Sequence, residues 1–234
     1  SIMYNEDGTF LKPNFFVRPA MHAFIDTEII AKAPSQYLWA GIGDTYAKYY
    51  EAMISSRDEQ LEHFTALGVE VSRMCRDPLL TYSARALEDH KQGLCTYEVE
   101  QVVLAIVVTT GIASIFLTKD FTPDYNSGLA HAIFYALTSY PVIEERHLHG
   151  EVVGFGILLA LLVDGQKEEF EKIYQLNKSV GLPTKLSDIE ITPEQWEECV
   201  DRIPAMSDVA HYPYKVTHSM LEDAMTALQE REVQ

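Results

Sequence analysis

Pro34-Ser-Gln-Tyr-Leu38-Trp-Ala-Gly-Ile42-Gly-Asp44-Thr-Tyr46-Ala-Lys-Tyr49-Tyr-Glu-Ala-Met53 places Leu38, Ile42, Tyr46, Tyr49 and Met53 at three- and four-residue spacing. That is the period of a helix with one buried face, and Pro34-Ser35 suits its first turn. Outward from this stretch the same period predicts helices over 59–76, 78–90, 97–117, 128–140, 151–163, 168–180, 193–202 and 217–231. Gly181-Leu-Pro183 is a helix stop.

The first 27 residues read differently. Ser1-Ile-Met-Tyr-Asn5 and Thr9-Phe10-Leu11 flank Glu6-Asp7-Gly8, a hairpin turn signal, and Met21-His-Ala-Phe-Ile25 is a further strand candidate. Two or three short strands make a marginal sheet alone and look like the edge of a larger one. The expected fold is therefore mainly α, with a short β margin at the N-terminus.

With 18 basic and 35 acidic residues the formal charge is −17. Such a surface repels phosphate backbones and anionic membranes, so neither nucleic acid nor membrane is an expected partner. Cys75, Cys95 and Cys199 form no CxxC pair and are expected as free buried thiols. No secretory signal opens the chain, and a cytoplasmic location is expected. The uncharged run from Glu100 to Lys119 is near bilayer length but carries Gln101, Thr109, Thr110, Gly111 and Ser114 and lacks basic flanks. It and Val152–Val163 are expected as two buried helices of a helical core.

Three positions suggest chemistry. Asp44 lies about 200° around the helix from Ile42, on a stripe with Ala40, Ala47 and Glu51, beside Gly41 and Gly43 and one turn before Lys48. It either faces something that approaches closely, or caps a segment after a break at Gly43. His131, in Gly128-Leu-Ala-His-Ala-Ile-Phe-Tyr-Ala-Leu137, sits on a mixed face and suits a hydrogen-bonded core residue as well as a ligand. His149 precedes Gly150-Glu151, with Gly154 on the face of Gly150; it is either presented into a cleft or a turn histidine, and His147 is a rival. One aspartate and two neutral imidazoles suit zinc or ferrous iron. His63, His90, His211 and His218 show no ligand spacing, and Glu168-Glu169 and Glu197-Glu198 read as solvated faces. No Gly-x-Gly-x-x-Gly follows a strand, and neither a P-loop nor HExxH occurs.

The ordered strings resemble the iron-containing alcohol dehydrogenase superfamily, and within it the glycerol dehydrogenase type. Ala40-Gly-Ile-Gly-Asp-Thr-Tyr-Ala-Lys-Tyr-Tyr-Glu51 is similar to that family's aspartate-ligand helix. Leu129-Ala-His-Ala-Ile-Phe-Tyr-Ala-Leu-Thr138 and His149-Gly-Glu-Val-Val-Gly-Phe-Gly156 are similar to the segments of its two ligand histidines. Val17-Arg-Pro, Phe24-Ile-Asp-Thr-Glu28 and Ala33-Pro34 match in order.

The resemblance implies a dehydroquinate-synthase-like C-terminal domain, with Asp44, His131 and His149 as metal ligands. It also implies zinc rather than iron, since the iron enzymes add a histidine where this chain has Lys48. The implied reaction is NAD-dependent oxidation of a polyol or secondary alcohol by a homo-oligomer. Residues 1–27 would be residual strands of a nucleotide-binding domain that precedes the helical metal-binding catalytic domain, 28–234, in family members. Alone, these residues would lack the cofactor's binding domain and be inactive. Phe134 departs from a family histidine, which puts glycerol itself in question. Two alternatives are a dehydroquinate-synthase-type lyase domain, which shares Leu148-His-Gly-Glu151 but uses glutamate in place of Asp44, and a non-catalytic fragment.

Overall fold

A computed structural model describes residues 2–5, 10–13, 21–118 and 125–233. Strands β1 (Ile2–Tyr4) and β2 (Phe10–Pro13) pair antiparallel; the expected Glu6-Asp7-Gly8 turn lies outside the described residues. Met21–Ile25 is not a strand. It runs without regular structure, with Met21 and Phe24 more than nine-tenths exposed, and among the described residues no neighbouring backbone completes a ladder with it. A short helix, α1 (Thr27–Ala31), follows under an Asp26 cap.

Helix α2 (Ser35–Ser55) runs unbroken through Gly41 and Gly43, so Asp44 is a mid-helix residue and not a cap. Next come α3 (His63–Ser72), α4 (Asp77–Lys91), α5 (Tyr97–Leu104), a π-helical stretch over Ala105–Thr109, and α6 (Thr110–Phe116). Then follow α7 (Leu129–Leu137), α8 (Pro141–Arg146), α9 (His149–Val163), α10 (Lys167–Val180), α11 (Pro193–Val200) and α12 (His218–Val233). Gly181 ends α10 at φ +78°, as the Gly-Leu-Pro signal requires.

The core is built around α9. Every residue from Gly150 to Leu161 is buried, because α2, α7, α10 and α12 pack around it. A helix apolar on all sides needs such an enclosure. The crossing of α9 and α2 is backbone against backbone. A Cβ on Gly43 would lie 2.2 Å from the Gly150 carbonyl oxygen, and one on Gly150 would lie 2.1 Å from that of Ala40. Only glycine permits that approach.

The other apolar run departs from its expected place in the core. Tyr97–Phe116 has a mean hydropathy of 2.0 and meets the length and composition of a membrane-crossing helix, yet only 28% of its most apolar window is buried. Val99, Val102, Val103 and Ala113 face inward, whereas Leu104, Val107, Ile112 and Ile115 are exposed. Its inward residues pack mainly against α3 and α4, with smaller contacts to α1 and α2. His149–Val163 alone is the buried apolar helix that the sequence predicts.

Two smaller expectations also change. Cys75 and Cys199 are buried, but Cys95 is exposed in the connection between α4 and α5. Glu169 is not a solvated face residue: it accepts hydrogen bonds from Tyr50 at 2.7 Å and Arg76 at 3.0 Å, tying α10 to the core.

Candidate metal centre

The α2–α9 crossing sets the spacing of two candidate ligands. Asp44 follows Gly43 on α2, and His149 precedes Gly150 as the first residue of α9. His149 Nε2 lies 3.5 Å from Asp44 Oδ1. From the neighbouring α7, His131 Nε2 reaches within 3.7 Å of the same oxygen. All three donor atoms fall within 4.8 Å of one another. Bonds of about 2.0–2.2 Å to a tetrahedral zinc put ligand atoms roughly 3.3–3.6 Å apart. Two of the distances are already near that spacing. The donors fit a divalent transition metal.

Glu51, two turns beyond Asp44 on the same α2 stripe, orients the site. Fully buried, it accepts the His131 backbone N–H at 3.0 Å through Oε1 and pairs with Nδ1 at 2.6 Å through Oε2. With Nδ1–H donated to the carboxylate, Nε2 carries the lone pair toward Asp44. A carboxylate behind a ligand imidazole fixes its tautomer and raises its basicity. Burial works to lower the His131 pKa, but the Glu51 charge and hydrogen bond, with Asp44, outweigh it and raise the pKa. For Asp44, burial works upward, but the His149 hydrogen bond and the charges of His131, His149 and Lys48 hold its pKa at about 2. The carboxylate is thus ionised at neutral pH.

The N-terminus of α7 is capped from elsewhere in the chain. Gly128 offers no side-chain cap. Instead the Leu129 N–H donates to the Tyr212 hydroxyl at 3.1 Å, and Glu51 takes the His131 N–H. An anion there also suits the helix dipole.

His147 is removed as a rival ligand. Its Nδ1 pairs with Glu151 at 2.9 Å, and Glu151 also accepts the Leu148 N–H at 3.1 Å. That capping interaction begins α9 two residues before the predicted start and leaves His149 turned to the site. Phe134 packs edge-on against the His149 ring with centroids 4.4 Å apart. Lys48 donates to the Asn126 carbonyl, so its ammonium is held by a hydrogen bond while its charge still acts on Asp44.

The structure therefore brings together Asp44, His131 and His149. Sequence reasoning missed the roles of Glu51 and Tyr212. For Glu51 a signal was present, its place on the Asp44 stripe; for Tyr212 none was. A second convergence also escaped it, since Glu197, His218 and Glu222 bring donor atoms within 4.8 Å of one another.

No family model matches the chain. It is 32% identical over 230 residues to hydroxycarboxylate dehydrogenase A of Escherichia coli (strain K12), covering 96% of this chain and 62% of that protein. It is 34% identical over 200 residues to the glycerol dehydrogenase of Thermotoga maritima, covering 81% of this chain and 51% of that protein. The chain thus spans about half to three-fifths of the length of these relatives. Its fold matches the crystal structure of a probable glycerol dehydrogenase from Sinorhizobium meliloti 1021 with a TM-score of 0.79 and 27% identity, over 100% of this chain and 66% of that one. Sequence and fold make the chain a homologue of proteins named glycerol and hydroxycarboxylate dehydrogenases, consistent with the helical C-terminal domain of the iron-containing alcohol dehydrogenase superfamily.

Proposed function

We propose that this chain is the metal-binding half of an NAD-dependent oxidoreductase acting on the CH–OH group of a polyol or secondary alcohol. The observation that carries the proposal is the convergence of Asp44, His131 and His149, with Glu51 behind His131. Zinc is the metal that this donor set supports best: one carboxylate and two imidazoles leave a position open to a substrate hydroxyl, and Lys48 is engaged elsewhere. Bound there, zinc supplies Lewis acidity to that hydroxyl.

The chain's own residues prepare this centre. Asp44 brings a fixed negative charge, and Glu51 keeps the His131 lone pair aimed at the metal position. Phe134 restrains the His149 ring and lines that side of the site with an apolar group. Hydride transfer also requires a nicotinamide held against the substrate, and no glycine-rich phosphate loop after a strand occurs in these residues. The proposed division of labour is metal and substrate hydroxyl here, nicotinamide on the further part that the longer relatives possess. By that reading the 234-residue chain binds zinc but does not turn over alone.

The experiment is metal analysis of the purified chain and its Asp44→Ala variant, with an assay using NAD and glycerol or a 2-hydroxy acid. The expected result is one zinc equivalent that depends on Asp44, and no turnover. Zinc content indifferent to Asp44→Ala would sink the metal assignment; ordinary turnover would sink the division of labour.

A further inference from the structure

Away from the α2–α9 crossing, α11 and α12 bring carboxylates and one imidazole together. Each helix contributes residues one turn apart, which therefore share a face. Glu197 and the capping residue Asp201 belong to α11, and His218 and Glu222 to α12. Donor atoms of Glu197, His218 and Glu222 lie within 4.8 Å of one another.

Two groups outside this trio hold it in shape. Asp201 Oδ1 pairs with His218 Nδ1 at 2.6 Å, leaving Nε2 as the nitrogen free to bind. Trp196, almost fully buried, donates its indole N–H to Glu222 Oε1 at 3.0 Å, leaving Oε2 free. The first is the carboxylate–imidazole arrangement that fixes a ligating histidine, and it repeats the relation of Glu51 to His131. Three carboxylates around one imidazole leave negative charge that an ion pair with a singly charged histidine does not balance.

We propose that Glu197, His218 and Glu222 form a second divalent-cation site, which ties the first turn of α12 to α11. One imidazole and two carboxylates suit zinc, with water completing the shell at this exposed position. The clamp closes the segment 201–218, from which Tyr212 reaches the first amide of α7.

The chain has two tryptophans, so Trp39→Phe leaves Trp196 as the sole indole reporter beside the site. The test titrates Co²⁺, which quenches nearby indole fluorescence, into Trp39→Phe. Zinc stoichiometry is measured by equilibrium dialysis on the native chain, Asp44→Ala, His218→Ala and Asp201→Asn. The expected results are saturable quenching of Trp196, one zinc equivalent retained in Asp44→Ala, and one equivalent lost in His218→Ala. Asp201→Asn is expected to weaken the site about tenfold or more, and zinc to raise the melting temperature of Asp44→Ala. If Trp196 is not quenched and His218→Ala leaves the stoichiometry unchanged, the second site does not exist. A single equivalent that survives Asp44→Ala and vanishes in His218→Ala would instead overturn the first centre and leave this one standing.

Discussion

Glu51 holds His131 twice, taking its backbone N–H on one carboxylate oxygen and its Nδ1 on the other, from a helix 80 residues earlier in the chain. One buried side chain thus helps start α7 and orients the candidate ligand that α7 carries. Glu51→Gln keeps the shape but exchanges one acceptor oxygen for a donor NH2. Loss of that outer-shell carboxylate is expected to weaken zinc binding about 10–100-fold, measured by competition with a chromogenic chelator. Unchanged affinity would show that His131 needs no orienting partner.

The α2–α9 crossing gives a sharper test. In Gly150→Ala the new methyl meets the Ala40 carbonyl at 2.1 Å and Asp44 Cβ at 2.9 Å, so the helices must separate. Overpacking of this kind costs about 1–3 kcal/mol, read as a lower urea midpoint. Zinc affinity should fall as well, because His149 is the residue before Gly150. Gly165→Ala meets no atom within 4 Å, so any loss there reflects its positive φ of 72° and should spare zinc binding.

Phe134 and His149 offer a subtler change. Aromatic pairs contribute about 0.5–1.5 kcal/mol beyond burial. Phe134→Ala is therefore expected to release the His149 ring and weaken zinc binding about two- to tenfold. Calorimetric titration of zinc checks this, and a tighter site in the variant would contradict it.

Away from the site, Asp164 sets a pH dependence. It accepts from Arg57, Tyr214 and Gln166 with its side chain fully buried. Burial alone would raise its pKa, but these hydrogen bonds hold it below the ordinary 3.8. A depressed folded-state pKa gives stability that is present above the ordinary value and lost as pH falls through the folded one. Asp164→Asn should therefore cost about 1.5–3 kcal/mol near neutral pH, and the gap to the native chain should narrow below pH 4. Denaturant melts at pH 7 and at pH 3 measure it; a gap that grows on acidification would be the wrong sign.

The helical architecture was legible because Leu38, Ile42, Tyr46, Tyr49 and Met53 repeat at helical period and Gly181-Leu-Pro183 stops a helix where the structure stops it. What escaped depends on groups distant in sequence. The start of α9 moved to His149 because Glu151 reaches back to the Leu148 amide. The exposure of Leu104, Val107 and Ile112 is invisible to periodicity, since an apolar helix looks the same whether or not something encloses it. The residues of the site were each ambiguous alone. Only their ordered resemblance to known strings joined them, and Glu51, though on the right stripe, had no visible partner until the chain folded.

Where α2 and α9 touch, no side chain lies between Gly43 and Gly150. The gap between Asp44 and His149 is thus a main-chain dimension, like the jaw of a caliper whose setting is cut into the metal of the tool. Repacking elsewhere in the core can change how firmly the protein holds together without resetting that jaw. Lengthening a ligand by one methylene, as in Asp44→Glu, would have to be absorbed by the ion's position. If the proposed ion binds there, this main-chain spacing constrains its size more directly than the chemistry of its donors.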